Sequence, residues 1–129
     1  MGGGADGAGM IRILHNPACS KSRRALELLA ERGVECEVVE YLRTPPDRET
    51  LEQLLRILDV TPSELVRRDK RFAELGLDDA ACSSAAQVVE LLLAHPELME
   101  RPVVLRGDRA VLARPPERLL DLLDEDASA

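Results

Sequence analysis

The stretch that decides the fold is His15-Asn16-Pro17-Ala18-Cys19-Ser20-Lys21-Ser22-Arg23-Arg24. It follows a short apolar run, Met10 to Leu14 (MIRIL), and precedes a helical pattern. The run reads as a strand that ends at the HNP turn. From Ser20 to Arg32, Ala25, Leu28, Leu29 and Arg32 share one helical face, which Leu26 widens. Gly33 suits the position just past a helix end. VECEVVEY then alternates, with Val34, Cys36 and Val38 on one face and Glu35 and Glu37 on the other, as a half-buried strand does. The chain therefore opens as strand–helix–strand, which is parallel and right-handed by default.

Cys19 falls at the first turn of that helix. Unpaired N–H groups and the helix dipole favour an anion there. Lys21, Arg23 and Arg24 come within about a turn, and Ser20 and Ser22 offer hydroxyls to a sulfur anion. Each effect lowers a thiol pKa, and the thiolate is the nucleophile. The same N–H groups suit a bound oxyanion beside the sulfur. The competing reading makes Cys19 a small packed hydrophobe, as free cysteines often are. Two-cysteine redox loops read C-x-x-C, whereas here Ser22 holds the second position. An oxidised Cys19 has no resolving thiol in its own loop. It needs Cys36, Cys82 or an external thiol, and glutathione is the expected one. Cys36, on an apolar strand face, reads as packing, and Cys82 as a loop or helix-entry thiol with nothing nearby to activate it. His15 either tunes the thiol through the turn or hydrogen-bonds the backbone.

The bulk properties narrow the function classes. With 129 residues there is room for one domain with a real core. Tyr41 and Phe72 are the only aromatics, so Leu, Val and Ala must build that core and base-stacking platforms are disfavoured. A net charge of −7 argues against a general nucleic-acid binder, but not against one small anion in a local arginine cluster. No run approaches the ~20 apolar residues of a membrane helix. MGGGADGAG reads as a flexible tail over residues 1–9, with Met10 a plausible alternative start and no secretory signal. Residues 10–124 read as a single domain and 125–129 as a frayed end. Three cysteines without framework spacing suggest a reducing, cytoplasmic compartment. No Cys/His set has zinc spacing, so no metal site is expected. Low aromatic content and no obvious exposed apolar stripe suggest a monomer.

Beyond Tyr41 the pattern is helical. Pro45 and Pro46 precede a helix near Asp47 with Leu51, Leu54, Leu55 and Leu58 inward. Thr61-Pro62-Ser63-Glu64 is a capping box before Leu65 and Val66, with Arg67 and Arg68 at the end of that short helix. Arg68 reads as a surface charge. KRFAELG is a brief helical piece stopped by Gly76, and Ser84/Gln87 open a helix that His95-Pro96 closes. After Arg101-Pro102, VVL and AVLA flank Arg106-Gly107-Asp108-Arg109 as a hairpin. Arg114-Pro115-Pro116 then starts a last helix carrying Leu119, Leu120 and Leu123 inward. The order resembles the thioredoxin-like α/β arrangement: a four-stranded mixed sheet flanked by helices, with a helical insert between an N-terminal βαβ and a C-terminal ββα unit.

With these motifs in order, the chain resembles the glutaredoxin-linked arsenate reductase family. The likeness rests on the HNPAC-S-K-S-R loop, on Tyr41-Leu42 before Pro45-Pro46, and on Arg67 within ELVRR. It extends through His95 to Leu105 with Arg101, and to Arg114 in LARPPE. It covers Ile11 to about Leu123. The resemblance implies that Cys19 attacks arsenic in arsenate while Arg67, Arg101 and Arg114 hold the oxyanion. His15, Asn16, Ser22, Arg23 and Pro102 support the loop. Pro102 is expected to be cis, which would set Arg101 beside the thiol. Water leaves, glutathione reduces the adduct as co-substrate, glutaredoxin resolves the mixed disulfide, and arsenite is released, with no metal or bound organic cofactor. Arginine forks suit tetrahedral oxyanions better than lysine.

Each arginine also has a bland reading. Arg67 could be a helix-end charge, Arg101 a helix cap and Arg114 a strand-end charge. Two rival functions remain. A glutathione-dependent thiol-disulfide reductase of other substrates would use Cys19 but leave Arg67 and Arg114 without a role. An Spx-type transcription regulator that binds RNA polymerase would share the fold, but such regulators typically carry C-x-x-C and lack the arginine set.

Overall fold

The computed structural model describes residues 10–123; the segments expected as a tail, 1–9, and as a frayed end, 125–129, lie outside the described residues, as does residue 124. The described chain divides into two compact units, one from residues up to 40 together with those from 101 onward, the other Tyr41–Glu100.

The first unit is the sheet. β1 (Ile11–His15), α1 (Ser20–Glu31) and β2 (Cys36–Glu40) form the opening, and β3 (Val103–Arg106) and β4 (Arg109–Leu112) form the closing hairpin. The strand order is β2-β1-β3-β4. β1 runs parallel to β2, with Ile13 opposite Val38, and antiparallel to β3, with Ile13 opposite Val104. β4 pairs antiparallel to β3. The mixed sheet expected from the element order is the one observed. Its hairpin turns through Gly107 and Asp108, and Gly107 takes the positive φ of 60° that such a turn favours in glycine.

Ile11 and Ile13 of β1, Ala25, Leu28 and Leu29 of α1, Val104, Val111 and Ala113 form one buried cluster, closed by Leu119 and Leu122. Each fully buried branched side chain stabilises the unit by ~1.5–3 kcal/mol relative to exposure. Three details differ from the sequence reading. Arg32 is exposed at the C-cap of α1, because the helix ends at Glu31 before that face comes round again. Val38 is 44% exposed, since β2 is an edge strand and the buried cluster reaches only Val34 and Cys36 beside it. In the last segment Leu122 is fully buried while Leu120 and Leu123 are only partly so: the chain starts as a 3₁₀ turn, Pro116–Leu119, which shifts the inward face by one position.

The second unit is helical. α2 (Arg48–Ile57) starts at Asp47, whose side chain accepts the Thr50 N–H at 2.9 Å, and it buries Leu51 and Leu54. The Thr61/Glu64 capping box forms, but it opens only a four-residue 3₁₀ turn, Pro62–Leu65. α3 (Lys70–Glu74) is one turn long. α4 (Ala85–Ala94) is capped by Ser84 and packs on α2 with Val88, Val89, Leu91 and Leu92 buried. Tyr41 is completely buried, its hydroxyl donating to the Met99 carbonyl at 3.4 Å. No helix among the described residues is long and apolar enough to cross a membrane.

Candidate active site

The loop from His15 to Ser22 is held almost entirely by its own side chains. Asn16 Oδ1 accepts the Ala18 N–H at 2.9 Å, and the Asn16 carbonyl accepts the Cys19 N–H at 2.9 Å. These two bonds turn the chain from β1 into α1. Ser22 sits at the i−3 position from Ala25 and is completely buried. Its Oγ accepts the Asn16 N–H at 3.0 Å and lies 2.8 Å from His15 Nδ1. Burial lowers the His15 pKa, opposed by the Glu40 charge and assisted by that of Arg23. In the Nε2–H tautomer of the neutral imidazole, Nδ1 accepts the Ser22 hydroxyl proton; in the Nδ1–H tautomer it donates to Ser22 Oγ.

This corrects two expectations. The Ser22 hydroxyl does not turn to the sulfur but to His15 and Asn16, and His15 bonds a side chain rather than the backbone. What Ser22 offers the sulfur is its backbone N–H.

Cys19 is the N-cap of α1, with extended backbone angles, and its carbonyl accepts the Arg23 N–H at 3.0 Å. N-cap residues normally aim a side-chain oxygen at the N–H groups two and three residues on; Cys19 makes no such cap hydrogen bond, but its sulfur lies close enough to those N–H groups to feel them. Burial alone would push the thiol up, but the Ser22 N–H, the Arg101 guanidinium and the Lys21 N–H together hold its pKa below the ordinary value. Cys36 is the contrast: burial raises its pKa, and it packs on the sheet core as the alternation suggested.

The loop cations are used differently from what proximity in sequence suggests. Arg23 donates to the Pro17 carbonyl at 2.8 Å and so ties the loop to the helix. Arg24 pairs with Glu27 and Glu31 at 3.1 and 3.2 Å. The cation that acts on the sulfur is Arg101, from the far end of the chain. Its Nε–H is buried and finds no acceptor among the described residues. Arg114 Nη1 donates to the Arg101 carbonyl at 3.0 Å, and the Ala113 N–H to the Pro102 carbonyl at 2.9 Å, so Arg114 is tied to the Arg101–Pro102 segment. The Arg101–Pro102 bond is cis as expected, and Arg114–Pro115 is cis as well.

Arg67 lies in the helical unit. Its N–H donates to the Leu98 carbonyl at 2.7 Å, and its Nε stands 3.7 Å from carboxylates of both Asp69 and Glu100. Arg68 is at the surface as expected, but it is pinned there. Its guanidinium reaches the Ser63 and Val66 carbonyls, Asp79 and Cys82 Sγ (3.0 Å), and lies over the Phe72 ring. Cys82 ends a 3₁₀ turn, Asp79–Cys82, at the entry to α4 as expected, but it is 1% exposed and so an interior thiol. Among the described residues no group of three or more His, Cys, Asp or Glu could hold a metal ion.

Residues 14–122 match the model of the ArsC family. The chain belongs to that family. Among the relatives of this ArsC protein is Uncharacterized protein YfgD of Escherichia coli (strain K12), 44% identical over 115 residues, covering 88% of this chain and 96% of that one. Arsenate reductase of Neisseria meningitidis (serogroup A) is 43% identical over 111 residues, covering 84% and 94%. A solved structure described as arsenate reductase from Vibrio cholerae superposes with a TM-score of 0.76 at 34% identity, over 89% of this chain and 98% of that one.

Proposed function

We propose that this protein is an arsenate reductase that uses Cys19 as its nucleophile and takes its electrons from glutathione, with glutaredoxin resolving the product. The observation that carries the reading is the pairing of an anion-favouring Cys19 with the buried, unsatisfied Nε–H of Arg101. A buried donor without an acceptor is costly unless something accepts from it. An oxyanion bound against the sulfur supplies the acceptor. The named activity of the Neisseria and Vibrio relatives supports the same substrate class.

In this mechanism arsenate enters on the loop N–H groups, with Arg101 and Arg114 neutralising it; Arg67 is the third arginine that the family resemblance assigns to the oxyanion. The Cys19 thiolate forms a bond to arsenic and a hydroxyl departs as water. Two thiol equivalents then supply two electrons: arsenic goes from the pentavalent to the trivalent state, and the thiols leave as a disulfide that glutaredoxin takes up in mixed form. Water displaces Cys19 and releases arsenite. Arginine donors offset the charge that gathers on arsenic during attack. The chemistry needs no bound metal or organic cofactor; glutathione is a co-substrate. The protein works in the reducing cytoplasm as a monomer.

The test is oxidation of NADPH on adding arsenate to protein, glutathione, glutaredoxin and glutathione reductase. Arsenate-dependent oxidation that vanishes in Cys19→Ser supports the reading. Folded protein that turns over simple disulfides but ignores arsenate overturns it in favour of a thiol-disulfide reductase. The two carboxylates already beside Arg67 are the feature that reading would explain more simply.

A further inference from the structure

The chain carries fifteen arginines and only two lysines, Lys21 and Lys70. One of those two stands two residues after Cys19. The neighbouring cations are committed: Arg23 to the Pro17 carbonyl, Arg24 to Glu27 and Glu31, Arg101 to the sulfur and Arg114 to the Arg101 carbonyl. Lys21 is exposed, and among the described residues its ammonium makes no hydrogen bond or ion pair. Its neighbours on the rim of the loop, Pro17, Ala18 and Ser20, are exposed too, while Cys19 is only half-buried. These positions are open to solvent, and the Lys21 N–H is among the groups that reach the Cys19 sulfur.

The second half of the proposed reaction has an electrostatic problem. An oxyanion bonded to Cys19 is negative, and so is glutathione, whose carboxylates outnumber its ammonium. Arg101 and Arg114 face the oxyanion, so their charge is already drawn on when the thiol approaches. Resting on the glutathione-dependent reading above, we propose that Lys21 is a specificity determinant for anionic thiol co-substrates: its ammonium draws the glutathione carboxylates to the rim beside Cys19. Lysine suits the task better than arginine. It is a compact point charge on a flexible stem, able to follow a diffusing anion, whereas a guanidinium fork suits a fixed oxyanion. An exposed ammonium facing a carboxylate changes a rate or affinity by about two- to fivefold and is screened by salt.

The test needs no arsenate. The Cys19 thiolate attacks one sulfur of a disulfide, the S–S bond breaks, a mixed disulfide forms on Cys19 and one thiolate leaves. Its second-order rate is measured with anionic glutathione disulfide and with neutral hydroxyethyl disulfide, and mass spectrometry assigns the adduct to Cys19. The readout is the ratio of the two rates. Lys21→Gln is expected to lower that ratio about two- to fivefold, Lys21→Glu to lower it further, and Lys21→Arg to restore most of it. Half-molar salt should close the gap between wild type and Lys21→Gln. A ratio that stays constant while both rates move together would overturn the proposal and mark Lys21 as a backbone element of the loop. A ratio change that salt does not alter would overturn it as well. Loss of arsenate turnover with the charge discrimination intact would strike the arsenate reading and leave Lys21's role standing.

Discussion

Ser22→Ala should be the most destabilising single-atom deletion near the site. The hydroxyl is fully buried and serves two groups, the Asn16 N–H at 3.0 Å and His15 Nδ1 at 2.8 Å. Both partners are themselves buried, so neither regains water when the oxygen is removed. An orphaned buried polar group costs about 1–3 kcal/mol, giving about 2–6 kcal/mol for two. Alanine returns about 0.5 kcal/mol through its better helix propensity. The expected net loss is therefore about 3 kcal/mol. For a chain of this size that corresponds to a fall in Tm of about 10–15 °C. Urea titration and thermal melts followed by circular dichroism would measure it, with Ser20→Ala, exposed on the same turn, expected to stay within about 0.5 kcal/mol of wild type. A loss below about 1 kcal/mol for Ser22→Ala would refute the idea that the serine is a structural clasp.

Stability should depend on pH through His15. Its folded pKa lies below the ~6.5 of an unfolded histidine, so the unfolded chain binds the proton first and stability falls as pH drops below about 6.5 toward the folded value. Urea midpoints from pH 7.5 to 5 should show that decline in wild type and a flatter one in His15→Gln; equal slopes would count against it. Alkylation rates resolved by peptide should give Cys19 an inflection below the ordinary thiol range and Cys36 one above it. Arg101→Ala should move the Cys19 inflection upward, and an unchanged inflection would remove Arg101 from the thiol's environment. In the coupled assay Arg101→Lys should lower kcat/KM for arsenate about tenfold or more, because an ammonium cannot supply the lost guanidinium donors; a change confined to glutathione would contradict an oxyanion role.

The sheet was legible because its signals are local. Alternation in Val34–Val38, the apolar β1 and a two-residue turn at Gly107-Asp108 each specify an element without knowing the rest. The placement of Cys19 was legible for the same reason: an N-cap cysteine is marked by the helical pattern that begins at the next residue. The roles of its neighbours were not, because charge near in sequence is not charge near in space. Arg23 and Arg24 are drawn to Pro17 and to glutamates one and two turns along, while the cation that acts on the sulfur comes from residue 101. Ser22 could have been read correctly from its i, i+3, i+7 spacing with Ala25 and Leu29, which puts it on the buried stripe. Burial of Cys82 and the Arg68 clasp could not, since both depend on where 3₁₀ turns of four residues place the chain.

The central claim is that a single thiolate, Cys19, reduces arsenate with external thiols. Its most direct test is chromatographic quantitation of arsenite formed when reduced protein is mixed with arsenate, glutathione and glutaredoxin and quenched over time, in wild type and in Cys19→Ser. Arsenite accumulating with wild type and falling to the protein-free rate in the variant is the expected result. Arsenite formed equally by folded Cys19→Ser, or by neither protein, would contradict it.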